Sequence, residues 1–454
     1  MNDARGSWNS KIGFIVAAAG SAIGLGNIWR FPFEAGKNGG AVFVLIYIAF
    51  VLLIGLPVMI AELSIGRNTR KNPVGAFASL FPKGLWKYIG WMGILTGIGI
   101  LSFYSVIAGY TVGYFFKLIA GDFNHISGAI QAEQIFTDFT ANPYYSLGLL
   151  VIFLTFTVGI VMGGVSAGIE RWSKILMPLL FVLLIVLAVR SVTLEGAEKG
   201  LEFYFKPDFS KVTATTFAKA LGQALFSLSL GMGAMITYGS YISKEDNLIS
   251  SAASVCLFDT GIAILAGLIM FPALFAMGMD PAGGPGLVFV VLPSIFAKMS
   301  GGFFFGAGIF LLLSVAALTS TISLLEVAVA YFIDERGWSR KKAAILMGTL
   351  TFFCGIPSAL SFGASAWLSK IPLVNLGALE IMNAVFGNYS LAIGSFLIAI
   401  FAGYKWGVSA VRKEVEREGN PFSGYTLWAF LIRFVCPVAI AVVLGYIIIT
   451  QNYF

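Results

Sequence analysis

From Phe43 to Ala61 the chain reads FVLIYIAFVLLIGLPVMIA, nineteen residues without a charge. About 20 apolar residues in a helix are what it takes to cross the hydrocarbon core of a bilayer. Comparable runs recur along the chain and define eleven spans, over 11–36, 41–66, 88–120, 145–164, 171–191, 216–240, 248–277, 301–333, 341–361, 376–404 and 424–449. Hydrophobic residues make up 58% of the 454 and charged residues 11%, whereas soluble domains carry about 25% charge. The reading is an all-α membrane protein with eleven transmembrane helices. Between the seventh and eighth spans, Gly286 to Met299 reads as a short helical hairpin lying at the surface rather than a crossing.

The formal charge of +7 reflects loops, not a nucleic-acid surface. Arg67, Arg70, Lys71, Lys83 and Lys87 follow the second span. Arg336, Arg340, Lys341 and Lys342 follow the eighth, and Lys405, Arg412, Lys413 and Arg417 the tenth. These loops fall on one side of the membrane, while the loop from Gly121 to Asn142, which has no Lys or Arg, falls on the other. The positive-inside rule then puts the N-terminus in the cytoplasm, and an odd span count puts the C-terminus outside, in a cell (inner) membrane. The first span is too long for a cleavable leader and lacks its small-residue cleavage site. Cys256, Cys354 and Cys436 sit in apolar spans as small hydrophobes, and the only histidine, His125, sits in a polar loop.

Two spans break the apolar pattern. Ala17 to Phe33 reads AAAGSAIGLGNIWRFPF, and Gln223 to Tyr241 reads QALFSLSLGMGAMITYGSY. Each places small polar residues and a Gly-x-Gly near what should be the bilayer centre. Unwound backbone at that depth leaves N–H and C=O groups unpaired, at several kcal/mol each, unless something polar fills the gap. Carbonyls freed in this way can coordinate a small cation, and half-helix N-termini can face a carboxylate. Close helix packing through small residues is the alternative. The breaks lie in the first and sixth spans, an odd number apart, so two five-helix halves would be inserted with opposite polarity. The division is 1–195 and 196–405, with 406–454 as linker and last span. Asp259, alone in SVCLFDTGIAILAGL, adds a charge costing about 2.5–3.5 kcal/mol at the bilayer centre. It points to a cation partner, or to a bond with a neighbouring hydroxyl.

GSAIGLGNIWRFP followed by NGGAVFVLIY resembles the first helix and loop of the neurotransmitter:sodium symporter family, bacterial amino-acid branch. The resemblance runs from Arg5 through the eleventh span. It implies two sodium ions beside an amino acid held between spans one, three, six and eight. The first sodium would meet the Ala22 carbonyl, Asn27, Ser227 and Asp259. The second would meet the carbonyls of Gly20, Ile23 and Ala316 and the hydroxyls of Thr319 and Ser320. Such oxygen ligands suit a hard cation. Tyr47, Gln223 and Ser227 match ligands of the chloride-dependent branch, but the usual serine of span seven is Ala263 and Asp259 brings a fixed negative charge. The expectation is chloride independence.

By the same resemblance, the backbone at Gly24 and Gly26 would take the substrate carboxylate. Tyr104 would donate to that carboxylate and form a lid with Phe226. The carbonyls of Ala22 and Phe226 and the Ser320 hydroxyl would take the ammonium, and Ile100, Ser229, Met232 and Leu324 the side chain. None of these is charged, so a neutral side chain is implied. Met232 stands where leucine-carrying members have phenylalanine, which favours a larger or variable one; Met232 and Leu324 as plain core is the alternative. Arg30 with Glu380 would form the outer gate. Arg5, Trp8, Ser240, Tyr241 and Asp334 would form the inner latch, unless Arg5 serves topology alone. Gly168 and Pro178 resemble a family element whose helix unwinds, although a simple proline kink reads equally well. The implied activity is sodium-coupled symport of neutral, hydrophobic or aromatic L-amino acids by alternating access. Small amino acids such as alanine, glycine or proline, or a non-transporting amino-acid sensor, are the alternatives. The pocket offers no nucleophile–base pair for an enzyme.

Overall fold

A computed structural model describes residues 6–123, 129–279, 287–298 and 301–451. Arg5 and His125 lie outside these. Every named element is helical. Among the described residues, nine helices are long and apolar enough to cross a membrane: Ala41–Thr69, Lys87–Ala120, Pro143–Met162, Val165–Val192, Leu248–Ala276, Gly302–Arg336, Arg340–Leu360, Ala378–Lys405 and Tyr425–Thr450. Lys11–Ala22 and Gly26–Lys37 make a tenth as a bent pair, turned by 51°. The sixth span comes as two arms, Ala214–Ser227 and Ala234–Gly239, each too short to cross alone. With it the count is consistent with eleven.

Polar caps set several starts. Ser10, Asn72, Asn142, Asn247 and Ser339 each accept a bond from a backbone N–H in the following first turn. The third and eighth spans, 34 and 35 residues long, are the most buried and cross at the centre of the bundle. The last span is largely exposed and covers the second. There Pro57 cannot donate to the Leu53 carbonyl, and the helix widens into a π-helical stretch over Val51–Gly55. The Cys436 thiol stands 3.7 Å from that carbonyl, and Trp428 Nε1 donates to the Pro57 carbonyl at 3.1 Å. The eleventh span thus answers backbone groups that lipid could not.

One expectation changes. Residues 287–298 form one short helix, not a surface hairpin: its Phe289 is buried against Tyr114 and Phe310, so apolar side chains draw it into the bundle. The fifth span is wound through Pro178, from Arg171 to Val192. Gly168 sits in the π-helical stretch Val165–Glu170 that leads into Arg171, where a Cβ would press on the Gly163 carbonyl carbon at 2.9 Å. Close approach of the fourth and fifth spans accounts for that glycine.

Candidate substrate and ion site

Both glycine-rich segments are broken where the sequence places the breaks. In the first span Ile23 adopts extended backbone after Ala22. In the sixth, Ser229, Gly231 and Gly233 all take positive φ, at 55°, 81° and 78°. Such angles suit glycine and cost a serine roughly 1–3 kcal/mol. Ser229 donates its hydroxyl to the Ser21 carbonyl at 2.9 Å, so one break holds the other.

Asp259 is fully buried beside the breaks. Its Oδ1 accepts from Asn27 Nδ2 and from the Ser227 hydroxyl, each at 2.7 Å. Its Oδ2 accepts from the Tyr47 hydroxyl at 2.9 Å. Asn27 Oδ1 in turn accepts from Gly24 N at 3.1 Å, and Gln223 Nε2 donates to the Gly26 carbonyl at 2.8 Å. Four spans therefore converge on one carboxylate. Ala263, one turn further along the seventh span, is buried and offers no oxygen.

A second oxygen cluster joins the first span to the eighth. The Thr319 hydroxyl lies 2.8 Å from the Ala316 carbonyl and 3.3 Å from the Ile23 carbonyl. The Ser320 hydroxyl reaches the Ser21 carbonyl at 3.2 Å and the Ile23 carbonyl at 3.3 Å. A Cβ on Gly20 would stand 3.2 Å from Thr319 Cβ, which brings that backbone to the same place.

Between the clusters, Leu25 N donates to the Tyr104 hydroxyl at 2.7 Å. A Cβ on Gly24 would collide with the hydroxyls of Tyr104 and Ser320, and one on Gly26 would stand 3.0 Å from the Phe226 ring. Gly93, Gly97, Ile100 and Tyr104 share one face of the third span by their three- and four-residue spacing. A Cβ on Gly93 would meet the Met232 carbonyl at 3.1 Å, and one on Gly97 the Leu324 carbonyl at 3.5 Å. Ile100, Ser229, Met232 and Leu324 are all buried, and Phe226 is half-buried.

On the inner side Trp8 is buried, its Nε1 donating to the Tyr238 carbonyl at 3.1 Å and its ring packed on Phe14, Tyr238 and Tyr241. The Ser240 hydroxyl donates to the Thr237 carbonyl at 2.5 Å. Asp334 Oδ2 accepts from Asn72 N and Nδ2 at 2.8 and 3.0 Å. Three carboxylates that sequence reasoning passed over hold this region. Tyr241 donates to Glu326, which also pairs with Arg340 at 2.7 Å. Glu170 accepts from Asn9 N at 2.7 Å and from Lys174. Glu62 accepts from Gly231 N at 2.7 Å. Glu62 and Glu326 carried the signal that singled out Asp259, a lone acid in an apolar run.

The outer pair needs correction. Glu380 is exposed and its Oε2 accepts from Gly377 N at 2.8 Å, closing its own helix start instead of reaching Arg30. Arg30 lies over the Phe226 ring at 4.5 Å, with Glu34 one turn on in the same helix.

Paired helix breaks with oxygens and buried acids turned into the gap are the marks of a secondary transporter. The chain belongs to the Sodium:neurotransmitter symporter family, whose model matches residues 5–134 and 134–453. It is 40% identical over 437 residues to the sodium-dependent transporter YhdH of Bacillus subtilis, covering 96% of each chain. It is 28% identical to the sodium-dependent serotonin transporter of Drosophila melanogaster, over 96% of this chain and 75% of that one. A crystal structure of MhsT in complex with L-phenylalanine superposes with a TM-score of 0.89 at 46% identity, covering 97% of this chain and 99% of the other. The protein is thus a multi-pass, sodium-dependent transporter and not an enzyme.

Proposed function

We propose that the protein couples two sodium ions to uptake of neutral, hydrophobic or aromatic L-amino acids by alternating access, without chloride. The observation that carries this reading is Asp259: its carboxylate takes the hydroxyl donors of Tyr47 and Ser227 that an anion would otherwise engage. A fixed negative charge in that place attracts a cation and repels chloride. Thr319 and Ser320, reaching Ile23, supply the second cluster of hydroxyl and carbonyl oxygens. The apolar Ile100, Met232 and Leu324 leave an ionised side chain without a partner, and the L-phenylalanine complex of MhsT supports an apolar ligand.

In this reading the N-terminus is cytoplasmic, the segments 1–195 and 196–405 are inverted repeats, and access alternates around the breaks. Ions and amino acid enter from outside, the Arg30–Phe226 lid closes, and the Trp8 latch opens inside. Each charge moved across 100 mV is worth about 2.3 kcal/mol, so two sodium ions supply about 4.6 kcal/mol, or roughly a thousandfold accumulation. The test is uptake into proteoliposomes under an imposed sodium gradient, competed by a panel of amino acids. Competition by leucine, phenylalanine and tryptophan but not lysine or glutamate is expected. Equal competition by lysine or glutamate overturns the neutral pocket, and strong competition by glycine or alanine alone favours a small substrate. Saturable binding with no uptake marks a sensor.

A further inference from the structure

An unwound stretch inside a membrane bundle needs neighbours that fix its path. The break of the sixth span has such a neighbour in the tenth span, which the site described above does not use. Gly231 takes φ of 81°, and a Cβ on it would stand 2.7 Å from Ser395 Oγ and 2.8 Å from Ser395 N. In the other direction, a Cβ on Gly394 would stand 2.9 Å from the Gly231 carbonyl carbon and 3.1 Å from its Cα, and would run into the carbonyl oxygen. Two backbones meet here with no side chain between them. The tenth span reaches this contact through a π-helical stretch, Asn383–Ser390. That stretch is wedged on the third span, where the Phe386 ring fills the space beside Gly99 and the Ser390 hydroxyl bonds with that of Thr96. Wide turns of this kind are frequent at functional sites.

Gly231 lies two residues from Ser229 and four from Ser227, whose hydroxyls hold the Ser21 carbonyl and Asp259. Carbon atoms in good contact sit about 3.5–4.0 Å apart, so a methyl group on Gly394 would displace Gly231 by at least about half an ångström. The two hydroxyl bonds, at 2.9 and 2.7 Å, lose strength steeply under such a shift. We propose that Gly394 is a positioning residue for ligand binding: it seats the tenth span against the Gly231 carbonyl and so fixes the sixth-span break, with Ser227 and Ser229, against the first and seventh spans. The inference rests on the break being the ligand site.

The test uses the purified full-length chain, with sodium and L-phenylalanine as probes and thermal unfolding as readout. For G394A the expected result is a half-saturating phenylalanine raised about 10-fold or more, beyond the lower ligand-free melting temperature that overpacking of a tight contact brings by itself. Half-saturating sodium rises with it. A glycine that serves packing alone gives a lower melting temperature with unchanged half-saturation, and that result overturns the proposal. S395T presses on the same contact through one added methyl; it should show a smaller rise of roughly 3-fold, and it carries the test if G394A does not fold. An unchanged S395T then counts against the proposal. A wild type that phenylalanine and sodium do not stabilise refutes the amino-acid reading itself. A wild type that they do stabilise, matched by G394A in half-saturation, refutes the role of Gly394 alone.

Discussion

Replacing Asp259 by serine removes the carboxylate that the first, second and sixth spans share and leaves Asn27 Nδ2 and the hydroxyls of Tyr47 and Ser227 aimed where it stood. Two unit charges about 4 Å apart, at an effective dielectric constant of about 20, attract by about 4 kcal/mol. At about 1.4 kcal/mol per tenfold, a sodium ion deprived of that partner binds up to about a thousandfold more weakly. The freed donors, however, now suit a small anion, and hydrogen bonds to a charged group are worth about 1.5–3 kcal/mol each. The prediction is a switch. Wild-type uptake is the same in sodium chloride and sodium gluconate. D259S is nearly inactive in gluconate and regains at least about 10-fold in chloride, since one recovered charge-assisted bond already suffices. The assay is labelled amino-acid uptake into proteoliposomes at fixed sodium, with the two anions exchanged. Wild-type uptake that drops in gluconate, or D259S at wild-type activity in either salt, refutes the argument.

Two further substitutions probe the remaining oxygens. T319V keeps the volume of the side chain but removes the hydroxyl between the Ile23 and Ala316 carbonyls; half-saturating sodium should rise about 10-fold, the effect of losing roughly one ligand's bond, with a shallower sodium dependence of phenylalanine binding. Y104F strips the acceptor from Leu25 N, and a buried unpaired N–H costs about 1–3 kcal/mol, so half-saturating amino acid should rise about 5- to 100-fold while stabilisation by sodium alone persists; direct binding to purified protein measures both.

The spans were legible because hydrocarbon enforces length and composition together. Their observed ends fall within a few residues of the apolar runs, apart from the fifth, whose helical start extends to Val165. The two breaks were legible because glycine and serine at mid-membrane have few other uses, and Asp259 because charge there is expensive. What stayed hidden were pairings set by distance through space. The Glu380 cap on Gly377, three residues back, was a local pattern left unread, whereas nothing local to Arg30 says that the Phe226 ring will lie beside it. Glu62 and Glu326 were visible as isolated acids, but their partners, Gly231 and Arg340, depend on how the second, sixth, eighth and ninth spans meet. Gly394 looked like one small residue among many in an apolar helix. Only the facing backbone of Gly231 distinguishes it.

Trp8 sets a scale for the inner closure. Its ring meets three aromatic neighbours at 5.2 to 6.1 Å, contacts worth about 0.5–1.5 kcal/mol apiece beyond the area they bury. The ring contacts alone, about 1.5–4.5 kcal/mol, are of the same order as the electrical work of carrying one or two monovalent ions through a resting potential. A much firmer plug would stall the cycle with cargo inside, and a much looser one would let the cell's gradient drain through an unloaded carrier. In the proposed cycle, the ring contacts of Trp8 are of the order of the force that undoes them.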